Sequence, residues 1–214
     1  MRIAVNTRFL LKDYLEGYGH FLQEIFSRLV KDHPGHEFIF LFDRPYDEKF
    51  VFGKNVTPVV VTPAARHPLL WKYWYDFKIP AVLKKYKADV FFSPDGFCSL
   101  RTRVPQCLVI HDLAFLHFPM GISNQQLRYY KRNTPDFIRK AKKLITVSAF
   151  SKADIISHYP LAADKISIIH NGIRNIFQPR SFDERDAIKK KYTDGREYFL
   201  CTGSLHPRKN GMNL

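Results

Sequence analysis

Seven short runs of β-branched and aromatic residues, near 2–6, 37–42, 57–62, 89–93, 106–110, 143–147 and 165–170, alternate with stretches of helical spacing. A chain patterned in this way builds βαβ units, so the sequence predicts an α/β fold: a parallel sheet flanked by helices. The helical stretches are 18–31, where Phe21, Leu22, Ile25, Phe26 and Leu29 recur on one face, then 68–87, 124–141 and 149–158.

The chain has 214 residues, more than the ~100–150 of a common domain and fewer than two such domains need. A boundary is expected in 175–196, which holds Pro179, a short charged helix at 183–192 and Gly195. Residues 1–174 then form the first domain, and 197–214 open a second that is cut short. In that fragment 198–202 reads as a strand, followed by a glycine turn with Arg208 and Lys209 and a helix that stops in its first turn. Two cations at a helix start could grip a phosphate together with free backbone N–H groups. A lone strand has open edges, so it is expected to dock on the first domain, to pair with a second copy as a homodimer, or to stay disordered.

Apolar runs such as Phe38-Ile-Phe-Leu-Phe42 are far shorter than the ~20 residues that span a bilayer, and the amino terminus enters a strand at once. A cytoplasmic protein is expected. The formal net charge of +14 calls for anionic partners. It is densest at Arg128, Lys131, Arg132, Arg139, Lys140, Lys142 and Lys143, a basic amphipathic stretch that Pro135 is expected to break. That stretch is either a solvated helix face or a patch for anionic lipid at the membrane's inner surface. No nucleic-acid motif accompanies it, so nucleic acid is not an expected partner.

Ligands of open parallel sheets bind beyond the carboxyl ends of the strands. The residues at those ends are polar: Asn6-Thr7-Arg8, Pro94-Asp95-Gly96, His111-Asp112, Ser148 and Asn171-Gly172. One edge of the sheet therefore reads as a cleft wall. Glu16-Gly-Tyr-Gly-His20 opens the first helix with two glycines that let backbone approach a ligand, although it is no G-x-G-x-x-G run and so argues against a dinucleotide. His111 is the best candidate for proton chemistry, since an imidazole titrating near ~6.5 can exchange a proton with a substrate hydroxyl. Asp112 either orients it or caps the next turn. No other histidine lies at a spacing that completes a metal site, and Cys98, Cys107 and Cys201 lack a C-x-x-C pair.

Five segments now carry a family resemblance. Glu16-Gly-Tyr-Gly-His-Phe21, Val109-Ile-His-Asp-Leu113, the run from Arg139 to Ile155, Ile169-His-Asn-Gly-Ile173 and Thr202-Gly-Ser-Leu-His-Pro-Arg-Lys-Asn210 occur in the order seen in retaining GT-B glycosyltransferases. The chain resembles the group 1, or family 4, members, which include bacterial mannosyl- and glucosyltransferases. The resemblance implies a Rossmann-like, acceptor-side amino-terminal domain followed by the truncated start of a second, donor-binding one. It also implies a hexosyltransferase of cell-surface polysaccharide or glycolipid synthesis. Such an enzyme moves a sugar, with retention of configuration, from a nucleotide-diphosphate sugar to a saccharide or lipid-linked acceptor, with no metal or other cofactor.

By the same resemblance, His111 is the active-site position near the transferred sugar, and Asp112 joins it as a catalytic candidate from its place beside it at the strand end. Gly17 and Gly19, with Arg208 and Lys209, lie at the donor diphosphate, where cations stabilise the charge that develops on the leaving group. Asp95, Ser148, Ser151, Lys152, Asn171 and Gly172 line the cleft, with helix capping as the other role for the serines. The family's paired glutamates, seven residues apart, would lie beyond Leu214, so the 214-residue chain alone is expected to turn over little donor. Two other readings stay open: a non-catalytic basic module that binds anionic membrane or a partner chain, and a GT-B epimerase or phosphorylase.

Overall fold

The computed structural model describes residues 1–174, 176–203 and 207–213. Seven parallel strands form one sheet: β1 (Arg2–Asn6), β2 (Glu37–Phe42), β3 (Val56–Val60), β4 (Val90–Ser93), β5 (Gln106–Val109), β6 (Lys143–Thr146) and β7 (Ile166–Ile168). All seven match predicted strands. Their spatial order is β3-β2-β1-β4-β5-β6-β7, so the winding reverses between β1 and β4.

Alternation along each strand feeds two cores, one on each face. Phe38, Phe40 and Phe42 of β2 point to one side, where Leu22, Phe26 and Val30 of α1 (Gly17–Asp32) cover them. Phe26 meets the Phe38 and Phe40 rings edge-on at 6.2 and 5.7 Å, a favoured aromatic geometry. Ile39 and Leu41 point to the opposite side, and Ala4, Phe91, Leu108 and Leu144 join them from the other strands. That face is covered by α2 (Pro68–Tyr73), α3 (Ile79–Lys85), α5 (Asn124–Lys140) and α6 (Ala149–His158) through Trp71, Ile79, Phe137, Ile138 and Ile155. A four-residue helix, α4 (Ala114–His117), follows β5.

Prolines mark two helices, one of which departs from its expected course while the other keeps to its expected span. The stretch predicted as one helix over 68–87 is α2, a π-helical turn (Trp74–Lys78) and α3. Pro80 lacks an N–H and its ring would strike the carbonyl four residues back, a conflict that a π turn relieves. The expected break at Pro135 is absent, because α5 runs through it from Asn124 to Lys140. A reciprocal cap holds its start: Ser123 accepts from Gln126 N at 3.3 Å, and Ser123 N donates to the Gln126 side chain at 3.2 Å. Buried Phe137 and Ile138 lie on the turn after Pro135, and burying two such side chains at ~1.5–3 kcal/mol each offsets a proline cost of ~3 kcal/mol.

The chain divides into two compact units, Met1–Asn171 and Gly172–Leu214. The second holds α7 (Phe182–Thr193), capped by Ser181 and Glu184 and ended by left-handed Asp194 and Gly195. The strand expected at 198–202 does not form, and Tyr198, Phe199 and Leu200 are exposed. A strand needs a partner ladder, and all seven paired strands belong to the first unit. Residues 204–206 of the expected glycine-turn motif lie outside the described residues. Pro207–Lys209 and Gly211–Asn213 are single 3-10 turns instead of the start of an α-helix.

Candidate functional site

The reversal of strand order between β1 and β4 opens a crevice at their carboxyl ends, the standard ligand position in such sheets. A buried polar network fills it. The Arg8 guanidinium, just past β1, donates to Asp95 Oδ2 at 2.6 Å, with side chains only 7% and 4% exposed. Asp95 also accepts from the Tyr75 hydroxyl (2.8 Å), from Ser93 Oγ (2.8 Å) and from Phe97 N (3.3 Å). Asn6 Nδ2 donates to the Tyr75 hydroxyl at 2.8 Å and to Ser93 Oγ at 3.1 Å. Arg8 further donates to the Ala65 carbonyl at 3.1 Å, and its guanidinium lies 4.7 Å from the Phe9 ring centre.

Burial alone would lower the Arg8 pKa, but the Asp95 carboxylate, in charge and in hydrogen bond, outweighs it and holds the guanidinium charged. Burial pushes the Tyr75 phenol up, so it remains a proton donor to Asp95. The π turn thus has a use in the site, since Tyr75 lies within it and reaches across to the ends of β1 and β4.

His111 lies two residues past β5, beside a cavity of about 190 Å³ that Asp95, Gly96, Phe97, Leu113 and Tyr130 also line. Its ring is held edge-on by Tyr18 at 4.9 Å and Phe21 at 5.0 Å, both from the first turns of α1. Burial lowers the pKa of His111, against the raising effects of a hydrogen bond to the Pro94 backbone and of the Asp112 and Asp95 charges. The buried Nε2 has no partner among the described residues, which leaves Nδ1 for Pro94. A neutral imidazole held in this way keeps an unused Nε2 lone pair, but that atom is itself buried, so a ligand hydroxyl meets it only after the surrounding side chains shift.

The other predicted residues divide by position. Asp112 is exposed, and its Oδ1 accepts from Ala114 N at 2.9 Å, so it caps the turn into α4 instead of meeting the His111 ring. Ser148 Oγ accepts from Ser151 N and donates to Ser151 Oγ, both at 3.0 Å, capping α6, while Lys152 is half-buried on the first turn of that helix. Asn171 and Gly172 are exposed on either side of the boundary between the two units. Arg208 and Lys209 are exposed on a 3-10 turn of the second unit.

The two glycines of α1 differ in kind. A Cβ on Gly19 would sit 2.6 Å from the Phe9 carbonyl oxygen and 2.8 Å from the Leu15 side chain, so packing requires glycine there. Gly17 meets nothing within 4 Å and leaves room for a ligand at the start of a sixteen-residue helix. In the sequence Arg8 and Asn6 stand out only as strand-end polar residues, and nothing local to Tyr75 signals that it turns toward the site.

Residues 16–174 match the sequence profile described as Glycosyltransferase Family 4. O-antigen chain mannosyltransferase B of Escherichia coli is 28% identical over 134 residues, covering 62% of this chain and 35% of that protein. O-antigen chain mannosyltransferase RfbU of Salmonella typhimurium is 24% identical over 176 residues, covering 77% of this chain and 44% of that protein. The chain therefore spans less than half the length of these curated relatives. Among solved structures, a glycosyltransferase from Rickettsia africae aligns with a TM-score of 0.53 at 16% identity, over 92% of this chain and 50% of that one.

Proposed function

This chain belongs to Glycosyltransferase Family 4, and from that membership we propose that it serves to transfer a sugar, with retention, from a nucleotide-diphosphate donor to a saccharide or lipid-linked acceptor. Synthesis of a cell-surface polysaccharide or glycolipid is the setting that the names of its relatives favour. The observation that carries the reading is the neutral, clamped His111 with its unpartnered Nε2 beside a cavity at the strand ends. In this reading Met1–Asn171 is the acceptor-side domain, and His111 accepts a hydrogen bond from a hydroxyl of the transferred sugar. The open face of Gly17 and the N-terminus of α1, with roughly half a positive charge, receive the donor diphosphate. In this reading the leaving phosphate takes the acceptor proton, and no metal is called for.

The test is to incubate the complete protein with nucleotide-diphosphate hexoses, a mannosyl donor included, and acceptor glycans, and to assign the product by NMR. A product with the donor's anomeric configuration is expected. An inverted product, or no transfer from any donor, would reject the reading.

A second property has its own support. Arg128, Lys131, Arg132, Arg139 and Lys140 are exposed on α5, while Phe137 and Ile138 are buried in the core. Lys72, Arg128 and Arg132 line a groove of about 400 Å³ beside Leu69, and Leu69, Tyr73 and Phe77 are exposed along the neighbouring helical segment. We propose that this basic, partly apolar face rests on an anionic membrane, each cation adding about 1 kcal/mol. No helix among the described residues is long and apolar enough to cross a membrane. Sedimentation with phosphatidylglycerol vesicles should show binding that weakens with salt, and salt-independent or absent binding would sink the proposal.

A further inference from the structure

We propose that His117, Asp154 and His158 form a binding site for a divalent transition-metal ion, with zinc the best chemical match. Spacing in the sequence hides the set, because Asp154 and His158 lie one turn apart on α6 while His117 closes α4, 37 residues before Asp154. The fold brings them together. His117 Nε2 lies 3.0 and 2.9 Å from the two Asp154 carboxylate oxygens. His158 Nδ1 lies 3.2 Å from Asp154 Oδ1 and 2.9 Å from the Asp154 carbonyl. The imidazole rings stand 5.5 Å apart at 86°, and one ligand atom from each residue lies within 4.8 Å of the others.

These separations suit coordination. Four ligands at 2.0–2.1 Å from zinc stand about 3.3 Å apart on the edges of a tetrahedron, within a few tenths of an ångström of the carboxylate–imidazole distances. Two imidazoles and one carboxylate are a borderline donor set, suited to zinc, cobalt or nickel and poorly to calcium or magnesium, which take oxygen ligands. Both histidines are exposed, so an ion has a route in, and the fourth position stays open to water. An ion would displace the hydrogens that His117 Nε2 and His158 Nδ1 each direct at Asp154, each neutral ring carrying its hydrogen on the other nitrogen instead, and His158 would give up its bond to the Asp154 carbonyl.

The position gives the site a task. His111 and the helix-capping Asp112 immediately precede α4, and His117 ends it. A metal joining His117 to two ligands on α6 would pin the segment that follows His111 to the body of the domain. This role is structural, and metal binding stands or falls independently of the glycosyltransferase reading.

The test uses the full chain, stripped with EDTA and titrated with zinc by calorimetry and with cobalt by visible absorption. One zinc per chain is expected, with a cobalt d–d band that zinc abolishes and a higher melting temperature in zinc. His117→Ala and His158→Ala should each weaken binding at least tenfold, as should the shape-conserving Asp154→Asn. A His33→Ala/His36→Ala variant, which removes the other close pair of histidine rings, should bind as before. Melting in EDTA verifies that each variant folds. The proposal is overturned if no zinc binds, if binding survives in both His117→Ala and His158→Ala, or if it is lost with His33 and His36.

Discussion

His111→Ala is expected to lower turnover of the complete protein by about 10²–10³-fold, the scale of removing one hydrogen-bonding group aimed at the reacting centre. Its ring is fixed by Tyr18 and Phe21, and its buried Nε2 has no partner among the described residues. Burial lowers its pKa in the folded chain, so the neutral form holds at neutral pH. Activity that needs this form should fall away only on the acid side, below the ordinary imidazole value of ~6.5. Stability follows the same sign. Below ~6.5 the unfolded chain takes up a proton that the folded site resists, so the neutral-histidine contribution is complete above that pH and shrinks as pH falls toward the folded value. A steady-state kinetic pH profile of wild type and His111→Gln separates the roles. An acid limb that persists unchanged in the variant, or turnover within about threefold of wild type, would remove His111 from the chemistry.

Asp95→Ala should be the most destabilising single change in the first unit. It strands the Arg8 guanidinium, 7% exposed, without its counter-charge, a loss of about 3–5 kcal/mol for one half of a buried pair. The hydroxyls of Tyr75 and Ser93 lose their acceptor in the same step. At about 2–4 °C per kcal/mol for a domain of this size, the melting temperature should drop by roughly 6–20 °C. Urea unfolding with circular dichroism measures the change, and a loss under ~1 kcal/mol would show that the pair is not structurally important. Replacing both charges, as in Arg8→Met/Asp95→Leu, should recover only the part of the loss that comes from the unmatched guanidinium, because the Tyr75 and Ser93 hydroxyls still lack their acceptor.

Asp95 and His111 are alike in the sequence and unlike in the fold. Both were recognisable as strand-end polar residues, because a parallel α/β pattern predicts where the ends fall. Their different roles were not, since one carboxylate is consumed by Arg8, Tyr75 and Ser93 while one imidazole nitrogen is left free. Tyr75 reaches the site through a π turn, a local change of helical phase that periodicity over 68–87 does not reveal. Asp112 and the pair Ser148–Ser151 show the opposite case, in which polar residues at strand ends satisfy backbone N–H groups nearby. The strand expected at 198–202 failed for a related reason: β-propensity describes a fit to neighbouring strands, and these residues have none.

By itself the sequence determined the class of fold, the seven strands, most of the helices and the edge of the sheet where a ligand would sit. Those properties follow from local periodicity and from the chemistry of residues next to one another. Only the tertiary structure decided the strand order that opens a crevice between β1 and β4, the Arg8–Asp95 pair, the continuity of α5 through Pro135 and the meeting of His117 with Asp154 and His158. Each depends on groups tens of residues apart in the chain. Their energies come from burial and pairing across the fold, which no local pattern in the sequence encodes.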